Sequence, residues 1–238
     1  MRAVAIFEAL SSFDSIFASE AGFTASVHTG SKQHRQAYIK LLISKADKQM
    51  RKFEDALVRT LRILCIWLQA PTRTAASRSD DDDDDEGGGG GVELHPSIAR
   101  LFSASYLPEV IHAFLRNNNM RDWVAHSDTY IAILDTLRRM SDSQSLSAFL
   151  AQPIPHVDRS PGLQKLVWDQ GAISYELDEE GMMHESSPLR DVVKQLEAYR
   201  RPLRSLLDKI QFEATVEKVN NLCDGISYLM LQQVVGCL

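Results

Sequence analysis

Residues 31–69 read SKQHRQAYIKLLISKADKQMRKFEDALVRTLRILCIWLQ, and their apolar positions decide the fold class. Tyr38, Leu41, Leu42, Ala46, Met50, Phe53, Leu57, Leu61, Leu64, Cys65 and Leu68 form one stripe at helical spacing. Arg35, Lys40, Lys45, Lys48, Lys52 and Arg59 fall around the other faces, where water is expected to meet them. Ser31 is placed to cap the start, and Pro71 stops the helix soon after its end. Unbroken, such a helix would be roughly 60 Å long at 1.5 Å per residue. That is long for a compact domain, so the segment is expected to bend, split in two or seek a partner.

Upstream, Val4, Phe7, Leu10, Phe13 and Phe17 describe a shorter amphipathic helix to about residue 19, and Ala21 to Ser31, with two glycines, breaks it. The opening Met1-Arg2-Ala3-Val4-Ala5-Ile6-Phe7 resembles the start of a signal peptide. Glu8 and Asp14 interrupt it, however, and no small-residue cleavage site follows. Downstream, residues 71–92 contain Asp80 to Glu86, a block of seven acids, followed by five glycines. Like charges repel and glycine loses most entropy on ordering, so a disordered acidic and glycine-rich linker is expected.

Short helical patterns follow: His95 to about Ser103, Tyr106 to Arg116, Asp128 to Met140 and Ser145 to Ala151. Their length and brief polar turns suggest antiparallel helical pairs. Residues 152–187 are irregular and rich in proline and glycine, with a possible small strand at Ala172 to Leu177. Ser187-Pro188 then reads as a cap and first turn, Pro202 as a kink, and Phe212 to about Val235 as a last helix. That helix runs almost to Leu238 without a polar tail, the pattern of a fragment. The expected fold is all-α, an irregular helical bundle or a short, armadillo-like α-solenoid. It comprises an N-terminal segment 1–70, the linker 71–92, and a helical domain 93–238 with an irregular loop at 152–187.

The net charge of −6 resides in the acidic block; outside it the chain is nearly neutral, so no global field steers nucleic acid or a membrane surface. No apolar run approaches the roughly 20 residues needed to span a bilayer. Three widely spaced cysteines, Cys65, Cys223 and Cys237, with no CxxC pair, suit a reducing cytoplasmic or nuclear setting. No GxSxG turn or Gly-rich loop ending in Lys and Ser or Thr is present, so nucleophilic and phosphate-binding chemistry is not expected. Of the seven histidines, His184 lies nearest other ligand types, beside Glu185 and close to Asp178, Glu179 and Glu180. An exposed acidic turn with one histidine reads as a solvated loop, so no metal and no cofactor is expected. Arg116, Asn117, Asn118, Asn119 and Arg121 form a polar turn between Phe114 and Trp123. It reads as a helix cap followed by a packed tryptophan, or as a recognition turn. Trp67 and Trp168 read as core or inter-helix packing.

The stretch Ser105-Tyr106-Leu107-Pro108-Glu109-Val110-Ile111-His112-Ala113-Phe114-Leu115-Arg116-Asn117 continues through Met120, His126, Tyr130, Leu134, Leu137 and Arg138. It resembles the helical region upstream of the catalytic core in giant ubiquitin-conjugating enzymes of the BRUCE/apollon type and their fungal relatives. The likeness covers Ser105 to Met140 and extends more weakly over residues 189–230. A conjugating core needs an HPN element and a thioester cysteine shortly after it. Here His95-Pro96 is followed by Ser97, and the next cysteine is Cys223. The resemblance therefore implies a non-catalytic helical scaffold or interaction module with protein partners in ubiquitin conjugation. Its expected contact residues are Tyr106, Arg116, Asn117, Trp123, His126 and Tyr130. The alternative is a coiled-coil-like oligomeric adaptor that self-associates through residues 31–69.

Overall fold

The computed structural model describes residues 1–21, 31–44, 48–69, 94–208 and 212–234; of 31–34 and 48–50 only the backbone is described. The linker expected at 71–92 and the break after Ala21 lie almost wholly outside these residues. About 73% of the chain is helical, in an all-α bundle of twelve helices among the described residues.

The first helix, α1 (Arg2–Glu20), buries Ile6, Phe7, Leu10, Phe13 and Phe17 and leaves Val4 exposed. Segment 31–69 is two helices, α2 (Ser31–Ser44) and α3 (Lys48–Leu68). In α3 the expected stripe holds: Phe53, Leu57, Leu61, Leu64 and Leu68 are buried, while in α2 Leu41 is exposed and Ile39 is inside. The next helices are α4 (Ser97–Ala104), α5 (Leu107–Leu115), α6 (Met120–Ala125), α7 (Ser127–Ser141) and α8 (Gln144–Leu150). Beyond the irregular region come α10 (Leu189–Gln195), α11 (Glu197–Leu207) and α12 (Glu213–Val234), with α9 (Leu163–Trp168) inside it.

The centre of the molecule is α7, which is buried on most of its circumference between α3 and α12. On the α3 side, the Thr129 hydroxyl donates to Glu54 at 2.6 Å, and Thr136 touches Cys65 Sγ at 3.3 Å and the Leu61 carbonyl at 3.4 Å. On the α12 side, Lys218 donates to Asp128 at 2.8 Å and the Ser141 hydroxyl to Gln232 at 2.6 Å. Both sets of partners advance in step along the two chains, so α3, α7 and α12 run parallel. The three are neighbours in space although long crossovers separate them in sequence. Gly225 lies against Leu134, where an added Cβ would sit 3.1 Å from a methyl carbon; the glycine lets α12 approach α7 closely.

The N-terminal segment shares this core. Phe13, Phe17, Tyr38 and Phe53 form an aromatic cluster with ring centres 5.6 to 6.0 Å apart, and Phe17 reaches Tyr106 at 5.8 Å. Asp14, fully buried on α1, accepts from the Ser105 hydroxyl at 2.8 Å and the Tyr106 amide at 3.0 Å. Ser105 Oγ in turn accepts from the Leu107 amide, so the two side chains together cap the start of α5.

Two expectations are corrected. The helix after Pro188 breaks at Leu196, six residues before Pro202, which sits inside α11. Pro188 is its cap residue, while the Ser187 hydroxyl lies 3.1 Å from His112 Nε2. The strand expected near 172–177 is present but belongs to a larger arrangement. β1 (Ile154–Pro155) pairs antiparallel with β4 (Glu185–Ser186), and β2 (Val157–Arg159) with β3 (Ser174–Tyr175), joined by a bridge between Leu177 and Met183. These ribbons and α9 make a small lobe over residues 152–187.

Candidate functional site

Of the six expected contact residues, four face inward. Tyr106, Trp123, His126 and Tyr130 are buried; Asn117 is half-buried and Arg116 is exposed. Their contacts give the packing reason for the pattern. Trp123 stacks on Tyr130 at 4.0 Å, and Phe114 meets Tyr130 edge-on at 5.5 Å. Asn117 donates to the Tyr130 hydroxyl at 3.1 Å and to Asp122 at 3.2 Å, while its carbonyl accepts from the Trp123 indole N–H at 2.8 Å. Asn119 caps α6 by accepting from the Arg121 amide at 3.1 Å. His126 Nδ1 meets Glu54 at 3.0 Å, and this hydrogen bond raises the histidine above its ordinary pKa against the opposing effect of burial. Burial drives the Tyr130 phenol upward and pushes that of Tyr106 up to about 12, so both stay neutral. The turn is a cap with a packed tryptophan, and of these residues only Arg116 is fully available to another molecule.

His95 behaves as expected of a helix start: its Nδ1 accepts from the Ser97 amide at 3.2 Å and lies 2.8 Å from the Ser97 hydroxyl. Cys65 and Cys223 are free thiols, both pushed upward by burial, which suits a structural role. Trp168 departs from expectation. It is 74% exposed and touches Phe7 only edge-on, with ring centres 6.5 Å apart.

The lobe at 152–187 gathers ionisable groups of its own and from the helices beside it. Arg35, read from the sequence as a surface residue, has no exposed side-chain area. From α2 it donates to the backbone carbonyls of Val157 and Asp158, pairs with Glu109 on α5 at 3.4 Å, and lies 5.2 Å from the centre of the Tyr106 ring. One guanidinium thus ties the lobe to two helices of the bundle. His112, on α5 beside the lobe, is lowered to about 4, first by burial and then by the charge of Arg116, so it is neutral.

Inside the lobe, His156, Glu176 and His184 converge. His156 and His184 rings meet edge-on at 4.4 Å, and His156 Nδ1 lies 3.8 Å from Glu176. The sequence placed His184 with Asp178, Glu179 and Glu180; the fold instead brings it to residues 28 and 8 positions upstream. Asp178 makes its own turn, accepting from the amides of Glu180 and Met182. The only sequence signal for the cluster was the alternation at Ala172 to Leu177, which marks Glu176 as a strand-flanking residue. Nearby, a crevice between α5, α8 and the lobe, lined by Pro108, Phe149 and Ile154, has room for about one water molecule.

No family model, curated protein or solved structure matches the chain.

Proposed function

We propose that the chain is a non-catalytic helical scaffold that presents the lobe at 152–187 to a protein partner in ubiquitin conjugation. The observation that carries the interaction reading is where large apolar side chains remain exposed. Val167, Trp168, Leu177, Met182 and Met183, all 43% exposed or more, come from one stretch of the lobe. Exposed methionine and tryptophan on a rigidly mounted element suit protein recognition, because both bury large area when covered and methionine adapts its shape. Arg35 supplies the rigid mounting. The link to ubiquitin conjugation is supported by the resemblance over Ser105 to Met140 alone, and those residues build the scaffold under the lobe.

The oligomeric-adaptor reading needs the stripe of residues 31–69, and among its described side chains the bundle buries Tyr38, Leu42, Phe53, Leu57, Leu61, Leu64 and Leu68. Among the described residues of the segment, the large apolar side chains left exposed are Leu41, Ile63 and Ile66. The purified chain, presented to ubiquitin and to a panel of conjugating and ligating enzymes in a fluorescence binding assay, is expected to bind at least one of them. Binding to none would remove the ubiquitin assignment and leave the exposed lobe to be explained by another partner.

A further inference from the structure

The three residues that converge in the lobe are held by a closed ring of backbone hydrogen bonds. The His156 amide donates to the His184 carbonyl at 2.9 Å, the His184 amide to the Glu176 carbonyl at 2.7 Å, and the Glu176 amide to the His156 carbonyl at 2.9 Å. Three separate strand segments are therefore locked at one level, and their side chains converge. One imidazole nitrogen from each histidine and one Glu176 oxygen all lie within 4.8 Å of one another. The Ser186 hydroxyl sits 2.6 Å from His156 Nε2, which leaves Nδ1 as the nitrogen turned to Glu176. His156 and Glu176 are mostly shielded, with 11% and 13% of their side chains exposed, whereas His184 opens to solvent.

We propose that His156, Glu176 and His184 bind one divalent transition-metal ion, with zinc the best fit, and that the ion clamps the lobe. Two imidazoles and one carboxylate are a donor set that zinc accepts in tetrahedral geometry, with a water as fourth ligand on the open His184 side. Calcium and magnesium require six or more oxygen ligands and find one carboxylate here. Ligand atoms around tetrahedral zinc lie about 3.3 Å apart for bonds near 2.0 Å, so the 3.8 Å between His156 and Glu176 needs only a small side-chain adjustment. Ser186 acts as the outer partner: it accepts from His156 Nε2–H and so fixes the tautomer whose Nδ1 lone pair faces the ion. The benefit to the fold is specific. Paired strands of two and three residues are barely stable alone, and an ion joining positions 156, 176 and 184 ties both ribbons together.

The test uses the full chain, stripped with a chelator and titrated with zinc against a chromophoric competitor, with cobalt as a spectroscopic substitute. One zinc per chain is expected, with a tetrahedral cobalt spectrum and zinc-dependent protection of amides 156–186 from hydrogen exchange. His184→Ala and Glu176→Gln, each with an unchanged far-UV spectrum, are expected to weaken binding about 100-fold, and Ser186→Ala about 10-fold. Replacing Asp80 to Glu86 with serine is expected to leave the site intact, which separates it from loose ion binding by the acidic block. The proposal is overturned if no saturable site is found. It is equally overturned if zinc binds as well to His184→Ala and Glu176→Gln as to the parent chain, or if the amides of the lobe are protected equally with and without zinc.

Discussion

Asp14 combines two demands that burial sets against each other. Its carboxyl caps α5 from a neighbouring helix, yet it is fully buried, and burial outweighs the hydrogen bonds from Ser105 and Tyr106 and raises it to about 7. The unfolded chain releases this proton near 3.8, so between about pH 4 and pH 7 the folded state holds a proton that the unfolded state does not. The contribution to stability is full below that window, falls as pH rises through it, and levels off above. Asp14→Asn keeps an acceptor for both donors and carries no charge, so thermal melts should show the variant gaining on the parent chain as pH rises from 4 to 7.5. A difference in melting temperature that stays constant over that range would contradict the argument. Arg35 is the second residue of this kind. Arg35→Met keeps the stem and loses the fork, removing the hydrogen bonds to the Val157 and Asp158 carbonyls and the ion pair with Glu109. The expected cost is on the order of 3 kcal/mol, read as a fall in denaturation midpoint. Neither residue was legible in the sequence: one charge in a helical stripe looks the same whether it meets water or a buried carbonyl, and only tertiary contacts decide.

Among the elements, those with long periodic stripes were legible. The apolar face of α3 and the run Phe7, Leu10, Phe13 and Phe17 in α1 need a buried partner wherever the chain goes, so their pattern survives any tertiary context. The joint between α2 and α3 was readable only as a length that a compact domain would not hold whole. The ribbons of the lobe were less legible, because a strand of two residues has no period to read and its partner lies some thirty positions away. The parallel packing of the central three helices had no signal in the sequence, because they lie far apart along the chain. Their tight contact gives a direct prediction. Gly225→Leu forces a large side chain against Leu134 and should destabilise the chain by about 1 to 3 kcal/mol, measured by urea denaturation. A melt equal to that of the parent chain would mean that α7 and α12 are not packed at this point.

For the whole molecule, the sequence divides at the acidic linker and the core does not. Phe13, Phe17, Tyr38 and Phe53 meet Tyr106, and α3 covers one side of α7, so residues 1–70 complete the core that 93–238 begins. A chain shortened to residues 93–238 should therefore lose its cooperative thermal transition and expose apolar surface that binds a hydrophobic dye. Retention of a sharp transition would mean two independent cores. On this single body no described helix is long and apolar enough to cross a membrane, and Arg35 ties the lobe to the bundle. The candidate contact residues read from the resemblance fall in the bundle, whereas Val167, Trp168, Leu177, Met182 and Met183 are exposed on the lobe; the sequence hinted at the lobe only as an irregular loop.

The central claim, a scaffold that offers its lobe to the ubiquitin-conjugation machinery, is tested most directly by quantitative affinity purification of two chains from the same cells. One is the parent, the other carries Leu177→Ser, Met182→Ser and Met183→Ser, three exposed positions of the lobe. Ubiquitin-conjugation components should be enriched with the parent chain and lost with the variant, at equal melting temperature. The same components recovered equally with both chains, or none recovered with either, would contradict it.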